Sequence, residues 1–181
     1  MYLTQAKWWG AMRHILFETE RTLVRSWDLA DVESLYAIMS DHRVHIHTGD
    51  SPWSKEHTEA YIRHIMELNF RTLELFHAGC FLKNGIDLIG LTGLNPYLEK
   101  CPEIEWQLGV DYWGQGYATE IGRATIANAF ASTNLLRIYG MANPENRASQ
   151  RVMEKVGMKC LGLQEFRGHM DMFYSIDRDD T

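Results

Sequence analysis

The chain has 181 residues, 45 % of them hydrophobic and 23 % charged, which suits one domain whose core needs no disulfide or structural metal. A formal net charge of −6 argues against general nucleic-acid binding, which needs a basic face. No apolar run approaches the roughly 20 residues that span a bilayer, and three cysteines without a C-x-x-C pair suit free thiols in a reducing compartment.

Residues 1–16 read as an N-terminal extension of undecided role. They hold Trp8-Trp9 and Met12, an alternative start. They lack the apolar stretch and small-residue cleavage site of a secretory signal, so a cytoplasmic protein is expected. Residues 17–178 read as a single domain. The alternation in Thr22-Leu23-Val24-Arg25-Ser26-Trp27 predicts a first strand. Asp28 is placed to cap a helix with Leu29, Val32, Leu35, Tyr36 and Met39 at helical spacing, and Ser54 a second one bearing Tyr61, Ile65 and Leu68. The stretch from Asp41 to Trp53 reads as a polar loop. A hairpin follows, with strands over Leu73 to Leu82 and Ile86 to Leu94 around an Asn84-Gly85 turn. Asn95-Pro96 and Cys101-Pro102 bracket another loop.

The second half reads as a strand from Ile104 to Val110, a helix from Gly116 to about Ala131 and a strand from Leu136 to Met141. A helix then starts at Asn143-Pro144-Glu145-Asn146, carries Ala148, Val152 and Val156 on one stripe and stops at Gly157. Met158 to Leu163 and Met172 to Ile176 close the chain as two strands. The order β-α-α-β-β-β-α-β-α-β-β predicts an α/β or α+β domain, a mixed sheet with helices on both faces. It lacks the regular alternation of a dinucleotide fold, and no G-x-x-x-x-G-K-[ST] is present.

Trp113-Gly114-Gln115-Gly116-Tyr117-Ala118-Thr119 is the segment that speaks of function. A glycine turn opening a helix aims unpaired N–H groups, and the positive end of the helix dipole, at one point. Glycine keeps side chains out of the way of an anion. The turn is therefore suited to a phosphate or pyrophosphate.

The run Glu103-Ile104-Glu105-Trp106-Gln107-Leu108, followed by Tyr112-Trp113-Gly114-Gln115-Gly116-Tyr117-Ala118-Thr119-Glu120, resembles the acetyl-CoA motif of the GNAT N-acetyltransferases, in particular the RimJ/RimL-like branch. Asn143 to Ser149 and Glu154 to Met158 resemble that branch's second motif. Thr19-Glu20-Arg21-Thr22-Leu23-Val24-Arg25 resembles its opening. The resemblance implies a mostly antiparallel central sheet splayed between its fourth and fifth strands. It implies acetyl-CoA as co-substrate in that splay and no metal. Trp113 stands where the general pattern has Gln or Arg, so backbone N–H groups from Gln115, Gly116, Tyr117, Ala118 and Thr119 are expected to hold the pyrophosphate.

The implied reaction is direct attack of an amine on the thioester. It needs an amine without its extra proton, a stabilised oxyanion and a protonated or tolerated thiolate. By resemblance, a backbone N–H among Leu108, Gly109 and Val110 serves the oxyanion, Ser149 lies near the sulfur and Asn146 lies beside the pantetheine. Glu103 and Glu105, on one face of one strand, are the candidate bases; Glu103 matches the branch, whereas Glu105 stands where the branch often has glycine. Ser149 alternatively caps its helix, as does Asn146. Tyr174 is a further possible donor, with core packing as its alternative. Trp53, Tyr61 and Phe76 are candidate acceptor-pocket residues, with core packing again the alternative. His42, His45 and His47 cluster without a ligand-spaced partner, so no metal is expected. The acceptor is a protein N-terminal α-amine or a small amine, and a homodimer is left open. The other reading is a non-catalytic acyl-CoA-binding sensor or interaction module; a dinucleotide-dependent oxidoreductase fails on strand order.

Overall fold

The computed structural model describes residues 13–69, 76–83, 87–98, 101–166 and 168–180, with the backbone alone for 69, 96–98 and 101. Among these residues eight strands form one sheet: β1 (Ile15–Glu18), β2 (Thr22–Arg25), β3 (His77–Leu82), β4 (Leu88–Leu98), β5 (Cys101–Leu108), β6 (Arg137–Ala142), β7 (Lys159–Phe166) and β8 (His169–Asp177). The described residues also form four α-helices: α1 (Val32–Met39), α2 (Lys55–Asn69), α3 (Tyr117–Ser132) and α4 (Arg147–Lys155). The strand order is β1-β2-β3-β4-β5-β6-β8-β7, antiparallel throughout except for β5 beside β6.

That parallel neighbour is what positions a site. β4 and β5 pair from Gly90↔Leu108 to Leu98↔Cys101, yet β5 and β6 share one registered pair, Glu103↔Tyr139. Both strands run on past it, so the sheet opens toward their C-terminal ends. Crevices at the carboxyl ends of parallel strands are where open sheets bind ligands.

Helices cover both faces, as the order of elements predicts. On one side Leu35 and Met39 of α1 and Ile62 and Ile65 of α2 bury Phe81, Leu91 and Trp27. On the other, Ile121, Ile126 and Phe130 of α3, Met153 of α4 and its C-cap Val156 pack on Ile89, Leu94, Ile104, Leu108, Ile138 and Tyr174. The alternation of β5 sorts its side chains accordingly: Ile104, Trp106 and Leu108 lie toward α3, and Glu103, Glu105 and Gln107 toward α1 and α2.

Several boundaries differ from the sequence reading. β1 was not foreseen. It is a four-residue edge strand with an irregular register against β2, and Ile15 is exposed. It starts within the stretch read as an extension; residues 1–12, with Trp8 and Trp9, lie outside the described residues, as do residues 73–75 and the Asn84-Gly85 turn. Counting β1, the foreseen opening falls between the fifth and sixth strands. The loop expected from Asn95 to Pro102 is mostly hairpin, because β4 continues to Leu98 through a register shift after Asn95. Such an irregularity is where a strand tolerates proline, here Pro96. β5 ends at Leu108, and Val110 opens a 3-10 turn over Val110–Tyr112. The stretch from Asp41 to Trp53 is not uniformly polar, since a 3-10 turn at His42–His45 buries Val44 and His45. In α4 the buried residues are Gln150 and Met153; of the expected stripe Val152 packs on the core and Val156 is buried at the C-cap, whereas Ala148 is exposed.

Candidate functional site

The glycine turn has the geometry its sequence predicts. Gly114 and Gly116 hold φ of 72° and 84°, the left-handed region that side chains other than glycine's rarely enter. Gly116 is the N-cap of α3 and, having no side chain, makes no cap hydrogen bond to the helix. The first helical bond there runs from the Glu120 N–H to the Gly116 carbonyl. The N–H groups of Tyr117, Ala118 and Thr119 therefore have no partner within the helix and face outward at its positive end.

A clamp that sequence reasoning missed fixes this turn to the far side of the sheet. Glu120, in the first turn of α3, accepts from the Thr19 hydroxyl (2.5 Å), the Arg21 N–H (2.9 Å) and Arg21 Nε (2.7 Å). Arg21 Nη1 donates to the Gln115 carbonyl at 3.1 Å, and the guanidinium lies 4.2 Å from the centre of the Tyr117 ring. Burial works against ionising Glu120, but the bonds from Thr19 and Arg21 prevail and hold its carboxyl below the ordinary value. Both ends of this clamp stand in motifs visible in the sequence; their pairing, some hundred residues apart, is not.

The open edge of β5 narrows the oxyanion candidates. The Gly109 N–H donates to the Ile89 carbonyl at 2.9 Å, so it faces β4 and is taken. In an antiparallel ladder successive N–H groups face opposite edges, which turns those of Trp106 and Leu108 toward β6, past the last registered pair. The Leu108 carbonyl, on that same edge, accepts from Trp113 Nε1 at 2.7 Å. Of the three residues expected to supply the donor, Leu108 faces the opening, Gly109 does not, and Val110 lies beyond the strand. Gly109 and Val110 instead border a cleft of about 420 Å³ shared with Ile38, Asp41, Asp87 and Asp111. Asp41 there is held at about 2 by the Arg43 guanidinium and backbone N–H.

Across the opening, β6 runs into the N-terminus of α4. Asn146 Oδ1 accepts from the Ser149 N–H at 3.0 Å, so Asn146 is the cap and Ser149 is not. The buried Gln150 pins the preceding loop by donating to the Asn143 and Pro144 carbonyls. The hydroxyl of Ser149 and the amide nitrogen of Asn146 have no partner among the described residues. At the far end the Gly157 and Met158 N–H groups bond back to Glu154 and Met153, the glycine stop the sequence shows.

The two carboxylates on β5 differ. Glu103 sits at the registered pair with Tyr139, where the strands are still joined. Glu105 lies two residues further, where they have parted. Its Oε2 accepts from Asn95 Nδ2 at 2.6 Å and lies 3.8 Å from His77 Nδ1, which is itself 3.1 Å from the Tyr61 hydroxyl. Burial, then the Glu105 charge, pushes the Tyr61 phenol well up, which keeps it neutral.

Other candidates fall into place as structure. Tyr174 is buried in the core under α4, and burial first, then Cys160, raises its phenol to about 12. Trp53 and Tyr61 pack ring against tilted ring on the α2 side, but Phe76 packs with Phe17 on the opposite face, so the three do not line one pocket. His45 turns inward and its Nε2 contacts the Met39 carbonyl at 2.8 Å. Among the described residues no three His, Cys, Asp or Glu side chains gather as a metal site. Cys80 is buried and Cys160 exposed, both as free thiols. No helix among the described residues is long and apolar enough to cross a membrane.

Comparison with known proteins gives this arrangement its context. The family model of the acetyltransferase (GNAT) domain matches residues 21–159. An uncharacterized N-acetyltransferase of Bacillus subtilis (strain 168), YnaD, is 30 % identical over 146 residues, 80 % of this chain and 83 % of the relative. The crystal structure of a GNAT-family acetyltransferase from Bacillus anthracis aligns with a TM-score of 0.78 at 27 % identity, covering 90 % of this chain and 98 % of that one. RimL, a ribosomal L7/L12 alpha-N-protein acetyltransferase in complex with coenzyme A, shares the fold at a TM-score of 0.78 and 17 % identity, over 93 % of this chain and 100 % of its own.

Proposed function

The chain belongs to the GNAT family of N-acetyltransferases, and we propose that it moves the acetyl group of acetyl-CoA to a primary amine by direct attack on the thioester. The carrying observation is the pairing of an uncapped glycine-turn helix start with a sheet open on the same side. The residues fit the co-substrate. The N–H groups of Gln115 to Thr119 take the pyrophosphate and the open edge at Trp106 and Leu108 takes the pantetheine arm, with Asn146 opposite. That RimL, of the same fold, has been solved in complex with coenzyme A supports acetyl-CoA as the co-substrate.

In this reading the Leu108 N–H stabilises the oxyanion. Glu105 or Glu103 receives the amine proton, and Ser149, with its hydroxyl unengaged, lies by the leaving thiolate. Orientation of the two reactants supplies a large part of the acceleration. The acceptor is a protein N-terminal α-amine or a small amine, met in the cytoplasm. An α-amine, with an ordinary value of about 8, sheds its proton near neutrality with less help than a lysine at about 10.4.

A thiol-release assay with acetyl-CoA across N-terminal peptides and small amines tests the reading. Release that depends on an amine, with acetylated product by mass spectrometry, is expected. Acetyl-CoA binding with no release for any amine would instead favour a non-catalytic acyl-CoA sensor.

A further inference from the structure

We propose that Asn95 and His77 are positioning residues that hold Glu105, rather than Glu103, as the carboxylate receiving the acceptor amine. This rests on the N-acetyltransferase reading and names which carboxylate serves it and what orients that group. Three observations converge. Glu105 lies beyond the Glu103↔Tyr139 pair, on the part of β5 that borders the opening. One of its oxygens, Oε2, is fixed by Asn95 Nδ2 at 2.6 Å and faced by His77 Nδ1 at 3.8 Å. The other oxygen, Oε1, has no partner among the described residues, and the side chain remains 28 % exposed. A half-fixed, half-available carboxylate is the form expected of a group that meets a cationic amine.

The row that builds it crosses three strands. His77 of β3 stands opposite Gly93 of β4, which stands opposite Glu105 of β5. A Cβ at Gly93 would lie 2.4 Å from the Phe76 carbonyl oxygen and 2.9 Å from His77 Cγ. The absent side chain thus leaves the imidazole room to reach over the central strand toward the carboxylate. The Tyr61 hydroxyl on α2 lies 3.1 Å from that same Nδ1 and steadies the ring.

The proton balance is simple. The acceptor enters as an ammonium ion and gives one proton to Glu105 Oε1. The freed nitrogen attacks the thioester carbon, the C–S bond breaks and the thiolate takes the second nitrogen proton. Glu105 returns its proton to solvent. Asn95 and His77 touch none of the reacting atoms. They fix the direction in which Oε1 points.

A double-mutant cycle on the full chain tests this. Asn95→Ala is expected to lower kcat/KM for the acceptor by about tenfold or more, the effect of losing a hydrogen bond to a charged group, with acetyl-CoA affinity unchanged by calorimetry. On a Glu105→Gln background the same substitution should cost almost nothing, because residues acting as a unit are not additive. Where Glu105→Gln turns over too slowly to read, Glu105→Asp replaces it. Should Asn95→Ala lower the thermal midpoint too far, His77→Gln serves in the same cycle. An equal loss on both backgrounds, or a Glu103→Gln variant as impaired as Glu105→Gln, overturns the proposal. A wild-type chain that turns over while the cycle is additive sinks this inference alone. A wild type that releases no thiol with any amine takes the underlying reading with it.

Discussion

At the scale of single residues, Gly116 and Glu120 carry the glycine turn in different ways. A Cβ at Gly116 would meet only Arg21 Nη2, at 3.6 Å, so space is not the constraint. The constraint is φ of 84°, which costs an L-residue about 1–2 kcal/mol. Gly116→Ala should therefore lower the thermal midpoint by a few degrees and weaken acetyl-CoA binding, both readable by calorimetry; a full-strength complex would remove the turn from the binding site. Glu120 acts through charge. Its carboxyl is held below the ordinary value of about 4.3 in the folded chain. Such a group adds stability above its unfolded value and loses it as pH falls through its folded one. Denaturation midpoints of the wild type and Glu120→Gln should differ at pH 7 and converge toward pH 3. A gap that stays constant with pH would mean that the carboxylate contributes no charge effect.

At the scale of elements, α4 starts on a side-chain cap at the residue proposed to meet the co-substrate. Asn146 caps it through Oδ1, and its amide nitrogen has no partner among the described residues. Asn146→Ala should cost about 1 kcal/mol for the lost cap and also raise the KM for acetyl-CoA. Asn146→Asp keeps the cap and alters only what faces the ligand, so it should hold the unfolding midpoint and still raise KM. An unchanged KM in both variants would leave Asn146 a cap and nothing more. This helix was legible in the sequence from Asn143 to its glycine stop because caps are local chemistry. So were the glycine turn and the hairpin strands. The short edge strand β1 was not, since its weak pattern is supported by pairing with β2 rather than by its own periodicity. The buried stripe of α4 was legible in part: Val152 and Val156 pack on the core as expected, but Met153 rather than Ala148 faces inward with them, because the angle at which the helix lies on the sheet is set by tertiary packing. Within the site, Glu105, Leu108 and Ser149 could be named from the chain. Their sorting could not, because it depends on which edge an N–H faces and where two strands part.

At the scale of the whole molecule, the sheet is two pieces joined at one place. β1 to β5 form an antiparallel block and β6 to β8 another. Between the strands the link is the Glu103↔Tyr139 pair; beneath it, α3 spans both blocks, burying Ile121 against Ile89 and Leu108 and Ile126 against Ile104 and Ile138. A ligand that lies in the opening would complete the hydrogen bonding that the sheet leaves undone. Hydrogen exchange should report this residue by residue. Without ligand, the Leu108 amide, turned to the open edge, should exchange faster than the neighbouring Gly109 amide, which is bonded to Ile89. Saturating acetyl-CoA should slow the Trp106 and Leu108 amides selectively. It should also raise the unfolding free energy by linkage, about 2.7 kcal/mol at a hundred times the Kd. The two signals belong together, because the same contacts that fill the edge also tie the blocks. A rise in stability without protection at Leu108 would place the co-substrate elsewhere. Protection at Leu108 that coenzyme A produces as strongly as acetyl-CoA would assign the edge to the pantetheine arm and leave the acetyl group to be held by other groups.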